Sequence, residues 1–219
     1  MKTCVLRAMR AGVLVLAGLL PIRPAPAAEL VAPAGLVLHV SPGITDQRFM
    51  PPLLAELGRS LVPPVRAMPA NYDPAALRGM VGTMDGSAVA QGFAASIDWA
   101  ATGRRMQVLL VADDIRLPPA RFNFAVSWRH PQADQRVIVV SLSRLMDRGL
   151  IDRADRDPNA TAERVARMIV KNTARLSGLF DSDRCVMGFP RSRDELDAMP
   201  LGFCEPDLSA LVQAGIARR

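Results

Sequence analysis

The sequence predicts an α/β or α+β fold with a sheet of mixed strand direction. Along residues 36–179, short apolar runs typical of buried strands alternate with segments of helical periodicity. Half of the 219 residues are apolar and 22% are charged, which allows one sizeable core. The same composition excludes a disordered chain, a collagen and a coiled coil.

The first 28 residues have the pattern of a secretory signal peptide. Basic residues at Lys2, Arg7 and Arg10 precede an apolar stretch at 12–20, and small residues follow at 26–28. An uncleaved membrane anchor is the alternative, but the apolar stretch is less than half of the ~20 residues that a spanning helix needs. We therefore predict a signal peptide at 1–28 and a single mature domain at 29–219. We expect this domain to be secreted or periplasmic, with no stable membrane insertion after cleavage.

The charge of the mature chain argues against a nucleic-acid partner. The whole chain has a formal net charge of +6, but four of its 27 basic residues lie in the predicted signal peptide. The remaining 23 basic residues stand against 21 acidic residues, a net charge of +2. A nucleic-acid-binding domain carries a stronger basic footprint, so we expect no such partner.

Strands and helices alternate in the first part of the mature chain. Residues 36–40 predict a buried strand, and residues 48–61 predict a helix with leucines on one face. A second strand at 62–68 contains two prolines, which favours the edge of a sheet. Residues 85–101 predict another helix, which two glycines weaken.

The second part contains the clearest element, a helix over residues 158–179. Asp157 precedes it as an N-cap, and Pro158 suits the first helical position. Before this helix we predict three strands, at 106–112, 122–128 and 136–141. After it we predict a loop at 181–184, an apolar turn at 185–187 and two helical segments at 193–198 and 206–217.

The residues from this helix onward resemble a known active site. The run Lys-Asn-Thr-Ala-Arg-Leu-Ser-Gly-Leu at 171–179, the Cys-Val-Met turn at 185–187 and Cys204 resemble the archaemetzincins, a branch of the metzincin zinc peptidases. In that family a helix carries His-Glu-x-x-His-x-x-Gly, a third His follows, and a Cys-x-Met turn, here with Met187, lies beneath the metal. The resemblance covers about residues 36–204. It implies an α+β metzincin-like (zincin) fold, a mixed twisted sheet with helices and a small helical C-terminal lobe.

The zinc ligands of that pattern are missing here. Lys171 stands at the first His position, Asn172 at the general-base Glu, Arg175 at the second His and Asp181 at the third ligand. Lysine and arginine are protonated at neutral pH and offer no lone pair, and an amide is no general base. The resemblance therefore implies that zinc, the family's cofactor, and the catalytic residues are lost. We expect an ion pair between Arg175 and Asp181, or a water-filled contact between them, where the zinc would lie, with Lys171 nearby.

The family also holds a second zinc with four cysteines. The matching positions here are Ser182, Cys185, Cys204 and Asp207, so half of the thiolates are gone and we expect this metal to be lost too. In the family these side chains converge, and neighbouring thiols in an oxidising compartment tend to pair. We therefore predict a Cys185–Cys204 disulfide, with two buried free thiols as the alternative.

Several polar residues have both a structural and a functional interpretation. Arg164, Arg167, Lys171 and Arg175 follow one another at helical spacing, which predicts a solvated helix face; the alternative is a basic cleft that recruits an acidic partner. A serine–lysine dyad of Lys171 with a nearby serine, either residue 177 or residue 182, is disfavoured because no oxyanion or serine motif accompanies it.

The remaining polar features favour structural roles. Asp113 and Asp114 are adjacent, so a loop or capping role is favoured over a catalytic carboxylate pair. His39 and His130 each stand without a second ligand at metal spacing.

Taken together, the signal pattern predicts secretion, and the resemblance implies an archaemetzincin-like pseudopeptidase. We expect a non-catalytic module without a cofactor that binds a protein or peptide, whose identity the sequence leaves unknown. The alternative is an active peptidase or hydrolase with an altered or relocated catalytic centre.

Overall fold

The structure is a computed structural model that describes residues 30–79, 82–119, 122–147, 155–179 and 182–219. The predicted signal peptide at 1–28 lies outside the described residues, so it stays a prediction. Among the described residues, no helix combines the length and the apolar character needed to cross a membrane.

Seven strands and six α-helices make up the described fold. The strands are β1 (Leu36–Val40), β2 (Val65–Pro69), β3 (Thr83–Asp85), β4 (Met106–Val111), β5 (Asp114–Arg116), β6 (Ala125–Arg129) and β7 (Arg136–Ser141). The helices are α1 (Met50–Ser60), α2 (Gly86–Ala95), α3 (Trp99–Thr102), α4 (Pro158–Leu176), α5 (Arg193–Ala198) and α6 (Asp207–Gln213), with 3-10 turns at Pro74–Leu77 and Cys185–Met187.

Five strands form the central sheet, in the order β2-β1-β4-β7-β6. Strands β2, β1, β4 and β7 run parallel to one another, and β6 pairs antiparallel with β7. The predicted mixed, twisted sheet with helices is therefore confirmed. Strands β3 and β5 form a separate parallel pair of three residues each, which the sequence analysis missed because such short segments carry no periodic signal.

Helices cover both faces of the sheet. Val108 and Leu110 of β4 join the apolar cluster with α1 and α4, whereas Leu109 and Val111 join the cluster with α2 on the opposite face. This alternation follows from the two-residue period of a strand. It explains why β4 and β7 are buried along their whole length, as expected of parallel strands covered on both sides.

The helix predicted at 85–101 is two helices, α2 and α3. The chain leaves α2 after Ala95, and the Asp98 carboxylate accepts hydrogen bonds from the Ala100 and Ala101 N–H groups, which starts α3. An N-cap of this kind satisfies the free N–H groups of a new helix and competes with continuation of the old one.

The C-terminal segment after residue 181 is the small helical lobe. It contains α5 and α6, and its end returns to α1, where Ala217 bridges Leu61 and Ile216 is fully buried. The lobe thereby packs against the same core as α4.

Candidate functional site

A cleft of about 620 Å³ lies between strand β6 and helix α4. Residues 122–127 line one side, and Met168, Lys171, Asn172 and Arg175 of α4 line another. Phe189, Pro190 and Arg191, which follow the Cys185–Met187 turn, complete the lining. The cleft therefore contains three of the four positions that the resemblance matched to the zinc site.

Helix α4 is positioned by its own caps and by burial on almost every side. The Asp157 carboxylate accepts from the Ala160 N–H at 3.0 Å, and Pro158 occupies the first turn, as predicted. The helix ends at Leu176, where Gly178 with a φ of 116° allows the chain to turn. Because α4 packs against the sheet and α1, its polar residues beside the cleft are held in place.

Lys171 is the deepest charged group of the cleft. It is only 5% exposed, its Nζ donates to the Gly188 carbonyl, and the ammonium lies 3.6 Å from the centre of the Phe189 ring. Burial, and secondarily the nearby Arg175 guanidinium, lower the pKa of Lys171 to about 8. The lysine is thus still mostly protonated at neutral pH.

Asn172 and Arg175 lie about one helical turn apart on α4, and both line the cleft. The Asn172 side-chain amide donates to the Met168 carbonyl at 2.7 Å, a bond within the helix. The Arg175 guanidinium lies 4.9 Å from the centre of the Phe189 ring and makes no ion pair with any described residue. Asp181 lies outside the described residues, so the expected Arg175–Asp181 ion pair stays a prediction.

These side chains do not fit a zinc ion. Zinc needs neutral imidazole, thiolate or carboxylate donors at about 2.0 to 2.3 Å. Lys171 and Arg175 present N–H donors instead of lone pairs, and the Asn172 amide nitrogen is used inside its own helix. Across the described ranges, no group of three or more histidine, cysteine, aspartate or glutamate side chains could hold a metal ion.

The solvated helix face predicted for the arginines of α4 is wrong. Arg164 and Arg167 are each 8% exposed. Arg164 holds Asp197 of α5 through two hydrogen bonds of 2.6 and 2.7 Å and donates to the Leu145 carbonyl, while Arg167 donates to the Met199 carbonyl. The C-terminal lobe covers this face, and only Lys171 and Arg175 of the four line the cleft.

The Cys185–Met187 turn lies next to α4 and carries the buried Met187. A disulfide joins Cys185 to Cys204, with their Cα atoms 5.7 Å apart, so the predicted pairing is confirmed. Ser182 donates a hydrogen bond to the Asp207 carboxylate. The four positions matched to the family's second zinc are therefore joined as two pairs, one covalent and one hydrogen-bonded.

The other polar residues singled out in the sequence have structural partners. Asp113 accepts from Arg78 and Asp114 from Arg144, each through a bidentate contact, which agrees with the favoured structural role. His39 bonds to the Gln107 side chain at 2.9 Å, and burial lowers its pKa.

The disfavoured serine–lysine dyad gains no support. The Ser182 hydroxyl donates to Asp207, and the buried Ser177 hydroxyl has no hydrogen-bond partner in the part of the chain that the structure describes. Lys171 Nζ donates to the Gly188 carbonyl rather than to either serine.

Phe189 and Arg191 line the cleft although the sequence did not single them out. Phe189 is 64% exposed, an unusual position for a large aromatic side chain, and both cations of α4 lie against its ring. Phe189 lies two residues after Met187. Because the resemblance already placed the Met187 turn beneath the site, this position could have indicated that Phe189 lines the cleft.

Comparison with solved structures identifies the fold. The archaemetzincin of Methanopyrus kandleri matches with a TM-score of 0.62 at 20% identity, covering 82% of this chain and 94% of that one. The archaemetzincin of Archaeoglobus fulgidus, complexed with malonate, matches at 0.61 and 18% identity, covering 80% and 99%. A zinc-dependent peptidase of Methanocorpusculum labreanum matches at 0.61 and 22% identity, covering 81% and 100%.

No protein-family model matches the chain, and no curated protein matches it in sequence. The structural similarity establishes an archaemetzincin-like fold, which confirms the fold expected from the resemblance.

Proposed function

We propose that this protein is a secreted, non-catalytic pseudopeptidase that binds a peptide in the cleft between β6 and α4. The observation that carries the proposal is the chemistry at two former ligand positions, Lys171 and Arg175, and at the former general-base position, Asn172. Lys171, Asn172 and Arg175 supply N–H donors where a zinc peptidase needs electron-pair donors and a carboxylate base. The N-terminal signal pattern supports secretion.

The open edge of β6 supports a peptide as the ligand. Among the described strands β6 pairs only with β7, and the Phe124 carbonyl accepts from the Ser141 N–H. Because hydrogen bonding alternates along an antiparallel strand, the main-chain groups of Ala125 and Ser127 are directed away from β7. They lie beside the cleft, where an extended peptide can pair with them as an additional strand.

The first experiment separates this proposal from an active enzyme. The mature protein, prepared from an oxidising host, is assayed for bound zinc and for cleavage of a peptide library with and without a chelator. We expect neither stoichiometric zinc nor chelator-sensitive cleavage. Stoichiometric zinc or chelator-sensitive cleavage would instead support the alternative of a peptidase or hydrolase with an altered centre. The triple variant Lys171→His, Asn172→Glu, Arg175→His serves as a gain-of-zinc comparison.

The second experiment tests the edge of β6. Displayed peptides are selected on the mature protein and measured against Ser127→Pro and Ser127→Ala. Proline removes the N–H directed to the open edge and is tolerated on edge strands, whereas alanine keeps that N–H. We expect proline to weaken binding about tenfold, the equivalent of one lost hydrogen bond of about 1.4 kcal/mol. Equal binding by the two variants, or no selected peptide at all, would refute the proposal.

A further inference from the structure

The cleft carries positive charge without a described counterion. Lys171, Arg175 and Arg191 line it, and no aspartate or glutamate is among its described lining residues. Elsewhere in the described chain, Arg78, Arg144 and Arg164 each hold a carboxylate. An anion from outside the protein can therefore bind in the cleft to cations that form no ion pair with a described carboxylate.

Arg175 is the group best suited to receive that anion. It is half-buried, its guanidinium lies 4.9 Å from the Phe189 ring centre, and it makes no ion pair with a described residue. A guanidinium presents paired N–H groups that match both oxygens of a carboxylate. Lys171 lies 3.6 Å from the same ring centre, so two like charges are held close together, and a bound anion would relieve their repulsion.

The orientation of the cleft indicates which part of a bound peptide supplies the anion, a side chain or the C-terminus. A peptide paired with the open edge of β6 continues the sheet, and every second side chain then points to the face that α4 covers. Lys171 and Arg175 lie on that helix. A side chain of the peptide therefore reaches them more directly than its C-terminus does.

We infer that the cleft selects an extended peptide with an aspartate or glutamate side chain facing Arg175 and Lys171. This inference rests on the proposed function and adds the chemical class of the ligand. Arg191, which is exposed at the rim, adds a third positive charge.

The probes are acetylated and amidated octapeptides, which carry no terminal charge. We expect the peptides selected from such a library to share an acidic residue at one position. Replacing that residue by glutamine in the peptide should weaken binding about tenfold, as for the loss of a hydrogen bond to a charged group. The affinity of the acidic peptide should also fall with added salt, whereas that of its glutamine counterpart should not.

Variants of the protein locate the effect. Arg175→Gln should lose most of the preference for the acidic peptide, with Lys171 supplying the remainder, and Arg175→Lys should retain more of the preference than Arg175→Gln does. Arg59→Gln is the matched control, because it removes the same charge from an exposed side chain of α1 outside the cleft lining. It should keep the full preference.

The outcomes distinguish this inference from the proposed function. Selected peptides that bind at the edge of β6 without an acidic preference would overturn the inference and leave the proposed function standing. An undiminished acidic preference in Arg175→Gln would also overturn it, as would tenfold tighter binding of a phosphopeptide than of the glutamate peptide. If no peptide binds, the proposed function falls, and the inference falls with it.

Discussion

At the scale of single residues, Lys171 is held in an environment that disfavours its charge. The side chain is almost fully buried, one carbonyl accepts from its ammonium, and the Arg175 guanidinium is nearby. A hydrogen bond and the face of an aromatic ring are partial substitutes for water. Burial and the Arg175 charge therefore make the protonated Lys171 unfavourable, and an anionic ligand in the cleft can reduce this electrostatic penalty.

The pKa of Lys171 can be measured directly, because the only other lysine of the chain is Lys2 in the predicted signal peptide. We expect amine labelling or the NMR shift of a labelled lysine to titrate at about 8. Arg175→Gln should move the pKa towards the ordinary value by removing a like charge. A midpoint above 10 in the unmodified protein would contradict the burial of the ammonium.

The same shift has a consequence for stability. Because the folded pKa lies below the unfolded one, the unfolded state binds more protons between pH 8 and about 10.5. The contribution of Lys171 to the free energy of unfolding should therefore rise with pH across this window. The difference between wild type and Lys171→Met should show this slope and be flat below pH 7.

The proximity of Lys171, Asn172 and Arg175 could be predicted from the sequence, but their surroundings could not. Matching the archaemetzincin pattern placed Lys171, Asn172 and Arg175 together, and all three line one cleft. The pattern could not reveal that Phe189 covers the two cations, nor that Arg164 and Arg167 are buried. Periodicity separates polar from apolar faces, whereas burial of a charged face depends on which lobe packs against it.

At the scale of elements, α4 is the wall shared by the sheet and the C-terminal lobe. One face joins the apolar core with β7 and α1, and the arginine-bearing face contacts α5 and the segment around Met199. Long elements of this kind were predictable: β1 and β7 have the expected bounds, and α4 begins at the expected residue. The six-residue α5 also has the predicted bounds, 193–198. The α2–α3 break and the β3–β5 pair were not predictable, because they depend on single caps and tertiary contacts.

The contact between α4 and α5 leads to a prediction for Asp197→Asn. Arg164 is nearly buried, whereas the Asp197 side chain is 40% exposed, so we expect a loss of about 1 to 2 kcal/mol in the free energy of unfolding at neutral pH. The Arg164 hydrogen bonds hold the pKa of Asp197 below its usual value. The loss should therefore be full above about pH 4 and should shrink as the pH falls through and below the unfolded pKa of about 3.9.

Glu163→Gln is the matched control on the same helix. Glu163 is 56% exposed and its contact with Arg167 is 3.4 Å, so the change should cost no more than about 0.5 kcal/mol. Denaturant unfolding of both variants at pH 7 and pH 3 checks the prediction. Equal effects of the two substitutions at pH 7 would show that the Arg164–Asp197 pair does not fasten α5 to α4.

At the scale of the whole molecule, two cross-links hold the C-terminal lobe at the positions that the sequence resemblance matched to a second zinc. The Cys185–Cys204 disulfide joins the segment after α4 to the segment before α6, and the Ser182–Asp207 hydrogen bond joins it to the first residue of α6. The Gly188 carbonyl and Phe189 follow the turn that contains Cys185, so the same cross-link supports the residues against Lys171. Stability of the lobe and the shape of the cleft are therefore coupled.

Removal of the disulfide tests this coupling. The bridge closes a loop with a sequence separation of 19, for which the chain-entropy estimate gives about 3 kcal/mol. We expect Cys185→Ser with Cys204→Ser to lower the free energy of unfolding by about that amount, and reduction of the wild type to have the same effect. Ser182→Ala, which removes only the neighbouring hydrogen bond, should cost about 1 kcal/mol. Denaturant unfolding with and without reductant measures all three, and two free thiols in unreduced, denatured wild type would rule the bridge out. The double serine variant also tests whether the disulfide supports the cleft. We expect it to raise the pKa of Lys171, because a looser turn admits water to the ammonium. If the variant unfolds more easily but leaves that pKa at about 8, the disulfide stabilises the lobe without supporting the cleft.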